Sequence, residues 1–111
     1  MALVKAIQRF DIYWVDLDLT KGSEIQKTRP CIVVSPNEMN NVLRTVIVIP
    51  LTSTVIGWPF RVSISLFSKE SSVACDQLRI VSKERLQKKI GSLNETEANA
   101  VTEILHTMFA K

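Results

Sequence analysis

Apolar and polar residues alternate from Phe10 to Leu17, with Phe10, Ile12 and Trp14 on one side and Asp11, Tyr13 and Val15 on the other. A period of two predicts a β-strand. The polar stretch Leu19 to Arg29 follows, built around Gly22 and Ser23 and longer than most hairpin connections. Pro30 to Ser35 reads as a short apolar strand whose proline fits an edge or a first position. Pro36-Asn37 and Asn40-Asn41 mark a second loop, and Arg44 to Ile49 is a third strand, rich in β-branched residues. After a loop from Thr52 to Pro59, Phe60, Val62, Ile64 and Leu66 alternate with Arg61, Ser63 and Ser65. That pattern belongs to an antiparallel strand with one wet face. Ser68 to Ser72 is expected to turn the chain into a last strand, Val73 to Val81.

Beyond Val81 the period changes. Ser82 is placed to cap a short helix carrying Leu86 and Ile90, with Gly91 closing it. Asn94 with Glu97 three residues on resembles a capping box. Val101, Ile104, Leu105, Met108 and Phe109 then form a stripe on one face of a C-terminal helix, which must bury against something. About five short strands and one amphipathic helix make a mainly β fold. The short connections predict a small, strongly bent antiparallel sheet or barrel capped by the helix.

Composition narrows the classes. The chain has 111 residues, 46% hydrophobic and 23% charged, which reads as one globular domain over residues 1–111. Its longest apolar run, Val46 to Leu51, is far short of the roughly 20 residues of a membrane helix. Lys5 and Arg9 interrupt the N-terminal apolar residues, so no secretory signal is expected and a cytoplasmic setting is. Fourteen basic against eleven acidic residues give a net charge of +3, a weak lean toward anionic partners. The basic residues cluster: Arg79, Lys83, Arg85, Lys88 and Lys89 face Glu84 alone. A solvated face and a nucleic-acid contact both fit that cluster.

The available chemistry is restricted. Cys31 and Cys75 are far apart within apolar stretches, as small buried hydrophobes would be. With His106 as the one histidine, placed on the last helix, they offer no nitrogen/sulfur zinc set. No Gly-rich phosphate loop and no nucleophile elbow is present. An enzyme built from this chain works with Arg, Asp, Glu, Ser, Thr and backbone groups. Such residues gather at two strand ends: Ser23, Glu24, Lys27, Thr28 and Arg29 at one, Thr52, Ser53 and Thr54 at the other. Hydroxyls beside a guanidinium can cradle a phosphate, with Arg29 as a bidentate donor. Turn formation is the plainer use of the same Ser and Thr residues.

The blocks Phe10-Asp11-Ile12-Tyr13-Trp14-Val15-Asp16-Leu17, Gly22-Ser23-Glu24 and Arg29-Pro30-Cys31-Ile32-Val33-Val34-Ser35 resemble the MazF/PemK family of bacterial toxins. Val48-Ile49-Pro50-Leu51-Thr52-Ser53, Pro59-Phe60-Arg61-Val62 and Cys75-Asp76-Gln77-Leu78-Arg79 extend the resemblance, in order, over nearly the whole chain. It implies an SH3-like small antiparallel β-barrel with a C-terminal amphipathic helix, assembled as a homodimer. It also implies a metal-independent endoribonuclease without cofactor, which cuts single-stranded RNA and is blocked by an antitoxin with an extended acidic segment. Carried over by motif, Arg29 and Thr52 are the catalytic pair, with Glu24 nearby and Asp76 at an acidic position used in some members. Ser23, Lys27, Ser53, Phe60, Arg61, Gln77 and Arg79 are the expected substrate contacts. One plasmid-borne branch has an Arg two residues before that Asp and a histidine in the first loop. Here Ala74 and Lys21-Gly22-Ser23 stand instead.

In that chemistry the 2′-OH attacks the adjacent phosphorus and the 5′-oxygen leaves, giving a 2′,3′-cyclic phosphate. A fixed guanidinium stabilises the phosphoryl charge, while Glu24, Asp76 and a water all remain available as the base. Trp14, Trp58 and Phe60 offer rings for stacking or for the core. A gyrase poison of the same fold and an inactive SH3-like binding module are the alternatives. The first ends in Trp-Gly-Ile where this chain ends Thr107-Met108-Phe109-Ala110-Lys111, and the second would lack Arg29 or Thr52.

Overall fold

The N-terminal alternation becomes strand β1 (Asp11–Asp16) in the computed structural model of the chain, which describes residues 6–17, 28–54 and 57–111. It is followed by β2 (Thr28–Val33), a one-turn helix α1 (Asn37–Asn40), β3 (Thr45–Thr52), β4 (Arg61–Leu66), β5 (Lys69–Ala74), β6 (Arg79–Ser82), β7 (Leu86–Ser92) and helix α2 (Glu95–Phe109). The strands form one antiparallel sheet in the order β4-β5-β3-β2-β1-β7, with β6 also paired to β3.

Both faces of the central strands are buried, and the period of two divides them between two cores. Tyr13, Val15, Cys31, Val33, Val46 and Val48 meet Val81 and Leu86 in one cluster. Ile12, Ile32, Val34, Ile49 and Leu51 meet Ile64, Val73, Cys75 and Val101 of α2 in the other. The two sides expected for β1 are therefore present, and the sheet curls with the helix against its second face. The capping box is also present: Asn94 Oδ1 accepts from the Glu97 N–H at 2.7 Å and Glu97 Oε1 from the Asn94 N–H at 3.0 Å. The apolar stripe of α2 outruns the sheet, however. Val101 is buried and Ile104 and Leu105 pack on the second core, but Met108 and Phe109 remain exposed.

Strand β3 organises the rest. On one edge it pairs with β6 through Thr45–Val48 and with β5 through Leu51–Thr52. Ile47 accepts from Val34 N–H and donates its own N–H to Ser35 Oγ, both toward β2. Alternation then turns position 50 to the opposite edge, where Pro50 sits between the ends of β5 and β6 and forfeits no ladder bond. Residues 74–78 lie opposite 49–50, so the surplus loops out as a 3₁₀ turn, Cys75–Gln77. The expected single strand Val73 to Val81 is thus two strands along one edge of β3, separated by that turn.

Three further expectations are corrected. Pro30 is the third residue of an inner strand rather than an edge or first residue. It is tolerated because the β2–β3 register stops at Cys31↔Pro50, leaving no partner for the missing N–H. Residues 69–72 are strand, not turn: they pair with Ser63–Leu66, and the chain reverses at Phe67-Ser68, with φ of 53° and 62°. This is a two-residue reversal of the left-handed type, made without the usual glycine. The helix expected from Ser82 to Gly91 is a single 3₁₀ turn, Lys83–Arg85, capped by Ser82 Oγ, followed by strand β7. Leu86 and Ile90, four apart, mimic helical spacing. Two irregularities in the β1–β7 register instead deliver Leu86 to the first core and Ile90 to the second.

Both thiols are sealed in the cores. Burial pushes the Cys31 thiol up to about 12, against the pull of Arg79 and Arg29, and Cys75 up to about 11. A thiolate is the reactive form, so iodoacetamide at pH 8 should leave both unmodified in the folded protein and label both in urea, as read by mass spectrometry. Labelling of the folded chain at the rate of free cysteine would contradict the packing.

Candidate active site

The end of the β2–β3 ladder opens a cleft. Because the register stops at Cys31↔Pro50, the start of β2 and the end of β3 part, and a cavity of about 370 Å³ lies between them. Arg29, Pro30, Leu51, Thr52, Ser53, Thr54 and Ser71 line it. By alternation Arg29 shares its face with Cys31 and Val33, and Thr52 shares its face with Val46 and Val48, which bury in the same core. The sheet therefore presents both side chains on one side.

Arg29 is exposed, and among the described residues its guanidinium has no hydrogen-bond or ion-pair partner. Thr52 Oγ1 accepts from the Thr54 N–H at 3.2 Å, which fixes the hydroxyl oxygen, and its proton has no acceptor among the described residues. A second cavity of about 220 Å³ adjoins at Arg29, lined also by Leu17, Pro50, Gln77 and Arg79. Arg29 stands where the two openings meet, and a second cation, Arg79, lines one of them.

Asp76 and Gln77 come from the looped-out 3₁₀ turn and part company there. Gln77 faces the second cavity. Asp76 grips Arg61: Nε donates to Oδ1 at 2.7 Å and an Nη to Oδ2 at 3.2 Å. The Arg61 side chain is only 6% exposed, and its guanidinium lies 5.0 Å from the centre of the Trp58 ring. The hydrogen bond from Arg61 holds the Asp76 carboxyl below the usual carboxylate range. The stabilisation is then full above that ordinary range and is lost only as pH falls through the lowered value.

The expected residues thus fall into three groups. Arg29, Thr52 and Ser53 meet in the first cavity, and Gln77 and Arg79 join Arg29 in the second. Asp76 and Arg61 are paired with each other, with Phe60 beside Trp58 at a ring separation of 5.3 Å. Ser23, Glu24 and Lys27 lie outside the described residues. Ser71 was not expected; the pairing of Thr52 with Ser72 across β3–β5 brings it to the cleft. His106 stays on the exposed side of α2. Among the described residues no three of His, Cys, Asp and Glu converge as a metal-ligand group, and no helix is long and apolar enough to cross a membrane.

Residues 8–109 match the family described as the PemK-like, MazF-like toxin of type II toxin–antitoxin systems. The chain is 37% identical over 71 residues to the endoribonuclease toxin MazF of Escherichia coli, an alignment spanning 64% of each chain. It is 34% identical over 110 residues to the endoribonuclease MazF9 of Mycobacterium tuberculosis, covering 89% of this chain and 92% of that one. Its fold matches a mycobacterial endoribonuclease solved in complex with its cognate antitoxin, with TM-score 0.79 and 23% identity over 92% of this chain and 93% of that one.

Proposed function

The chain belongs to the PemK-like, MazF-like toxins of type II toxin–antitoxin systems, and from that premise we propose that it is a sequence-specific endoribonuclease acting on single-stranded RNA. The observation that carries the reading is the Arg29 guanidinium, without a partner among the described residues, sharing one cleft with the Thr52 hydroxyl. When the 2′-OH attacks phosphorus, charge accumulates on the non-bridging oxygens. Arg29 supplies a planar fork of donors for that charge and Thr52 one more. The 2′-proton passes to a base and the leaving 5′-oxygen gains a proton, giving a 2′,3′-cyclic phosphate and a 5′-hydroxyl. Arg29 serves as a fixed cation and hydrogen-bond donor rather than as the base, because a guanidinium offers donors and no acceptor.

Ser53, Gln77 and Arg79 contact the strand on either side of the reacting phosphate. The reaction needs no metal or other cofactor. A cognate antitoxin with an extended acidic segment blocks the same basic openings, the toxin works as a homodimer, and its place is the cytoplasm. The gyrase-poison and inactive-module alternatives find no support, since the matched relatives are named endoribonucleases and Arg29 and Thr52 both stand in the cleft.

The test is incubation of the purified chain with a long RNA in excess EDTA. Discrete fragments with cyclic-phosphate 3′ ends and 5′-hydroxyls are expected. Intact RNA, a magnesium requirement or 3′-hydroxyl ends would overturn the proposal.

A further inference from the structure

We propose that Arg61 and Asp76 are positioning residues that hold the Trp58 indole as a stacking platform for one unpaired base of the bound RNA. The inference rests on the ribonuclease reading above and extends it to how that site holds the bases of its substrate. The local sequence builds the platform. Trp58-Pro59-Phe60-Arg61 is a β-turn closed by the Arg61 N–H donating to the Trp58 carbonyl at 3.1 Å, with proline at its favoured second position. The same Arg61 extends its guanidinium between the Trp58 ring and the Asp76 carboxylate. The indole is thereby fixed from its backbone, by Arg61 over the ring and by the Phe60 ring 5.3 Å away, yet it remains 45% exposed. A large ring held this firmly in contact with water has paid its ordering entropy before any ligand arrives.

The occupant follows from what adjoins it. Asp76 is bonded to Arg61, and its chain neighbour Gln77 lines the cavity that also holds Arg29 and Arg79. A strand whose phosphate is gripped at Arg29 and that runs on past Gln77 reaches the 3₁₀ turn that anchors the platform. Unpaired bases stack on aromatic rings whatever their identity. Both Asp76 oxygens are committed to Arg61, so this carboxylate acts through the ring's position rather than by taking a proton.

The experiment measures binding of a single-stranded oligonucleotide that spans a mapped cut site and carries a 2′-deoxy nucleotide at the scissile position. Bases are removed one at a time. For the unmodified protein, one abasic position is expected to weaken binding on the order of five- to a hundred-fold. Trp58→Leu should erase that penalty, Trp58→Phe should restore most of it, and Arg61→Gln and Asp76→Asn should each reduce it. In cleavage of the all-RNA substrate, Trp58→Leu should raise KM far more than it lowers kcat.

An abasic penalty undiminished in Trp58→Leu would overturn the inference. So would a variant whose sedimentation shifts while the penalty stays, which would make the ring a protein contact. Cleavage by the unmodified protein with a flat abasic scan would sink the platform and leave the ribonuclease standing. Neither binding nor cleavage of RNA would sink both.

Discussion

Arg29→Ala is expected to reduce single-turnover cleavage by about a hundred- to a thousand-fold, the loss typical of one preorganised donor to a developing oxyanion, or about 2.7–4 kcal/mol of barrier. The side chain is exposed and, among the described residues, unpartnered. Its removal should therefore leave stability within about 0.5 kcal/mol of the original. Activity and folding are separable at this position, and circular dichroism can verify the second while the rate reports the first. Arg29→Lys should recover little, because an ammonium keeps the charge and loses the fork. Thr52→Val should be milder than Arg29→Ala and still clear, since one neutral donor is lost. A folded Arg29→Ala protein that cuts at nearly the original rate would remove the centre of the proposed mechanism.

Ile32→Ala should be the most damaging single truncation in the second core. Ile32 is fully buried on an inner strand, opposite Ile12 on β1 and Ile49 on β3, with α2 packed over the same cluster. Truncating a fully buried isoleucine leaves a cavity that β-strands paired on both sides relax into poorly, and costs about 2–5 kcal/mol. Small domains have roughly 5–15 kcal/mol in total, so the urea midpoint should fall by a large fraction. Ile80→Ala is the matched control: its side chain is 63% exposed on β6 and should change stability by no more than about 0.5 kcal/mol. Equal midpoints for the two variants would contradict the two-core reading of the sheet.

Local pattern sufficed where one residue's environment is set by its near neighbours. The two sides of β1, the wet face of β4 and the Asn94/Glu97 box are read directly, because strand alternation and helix capping act within a few residues. The α2 stripe is legible for the same reason, although where the sheet beneath it ends is not a local property. That Arg29 and Thr52 fall at strand ends is legible as well, since each lies within a distinctive block; that they share one cavity is seen in the fold.

Strand pairing is not local. Leu86 and Ile90 satisfy helical spacing, and only the register with β1, with its two irregularities, makes the segment a strand serving both cores. The break at Cys75–Gln77 follows from β3 exchanging β5 for β6, an event encoded in no residue of the turn itself. That break carries Asp76 to Arg61 and Gln77 to the second cavity. Alternation, capping and composition are enough to say which faces are apolar, where α2 begins and which residue types the chemistry can use. The cleft is a tertiary result: Pro30 and Pro50 are each visible in the chain, but a ladder stops where two strands meet, and that meeting is long-range.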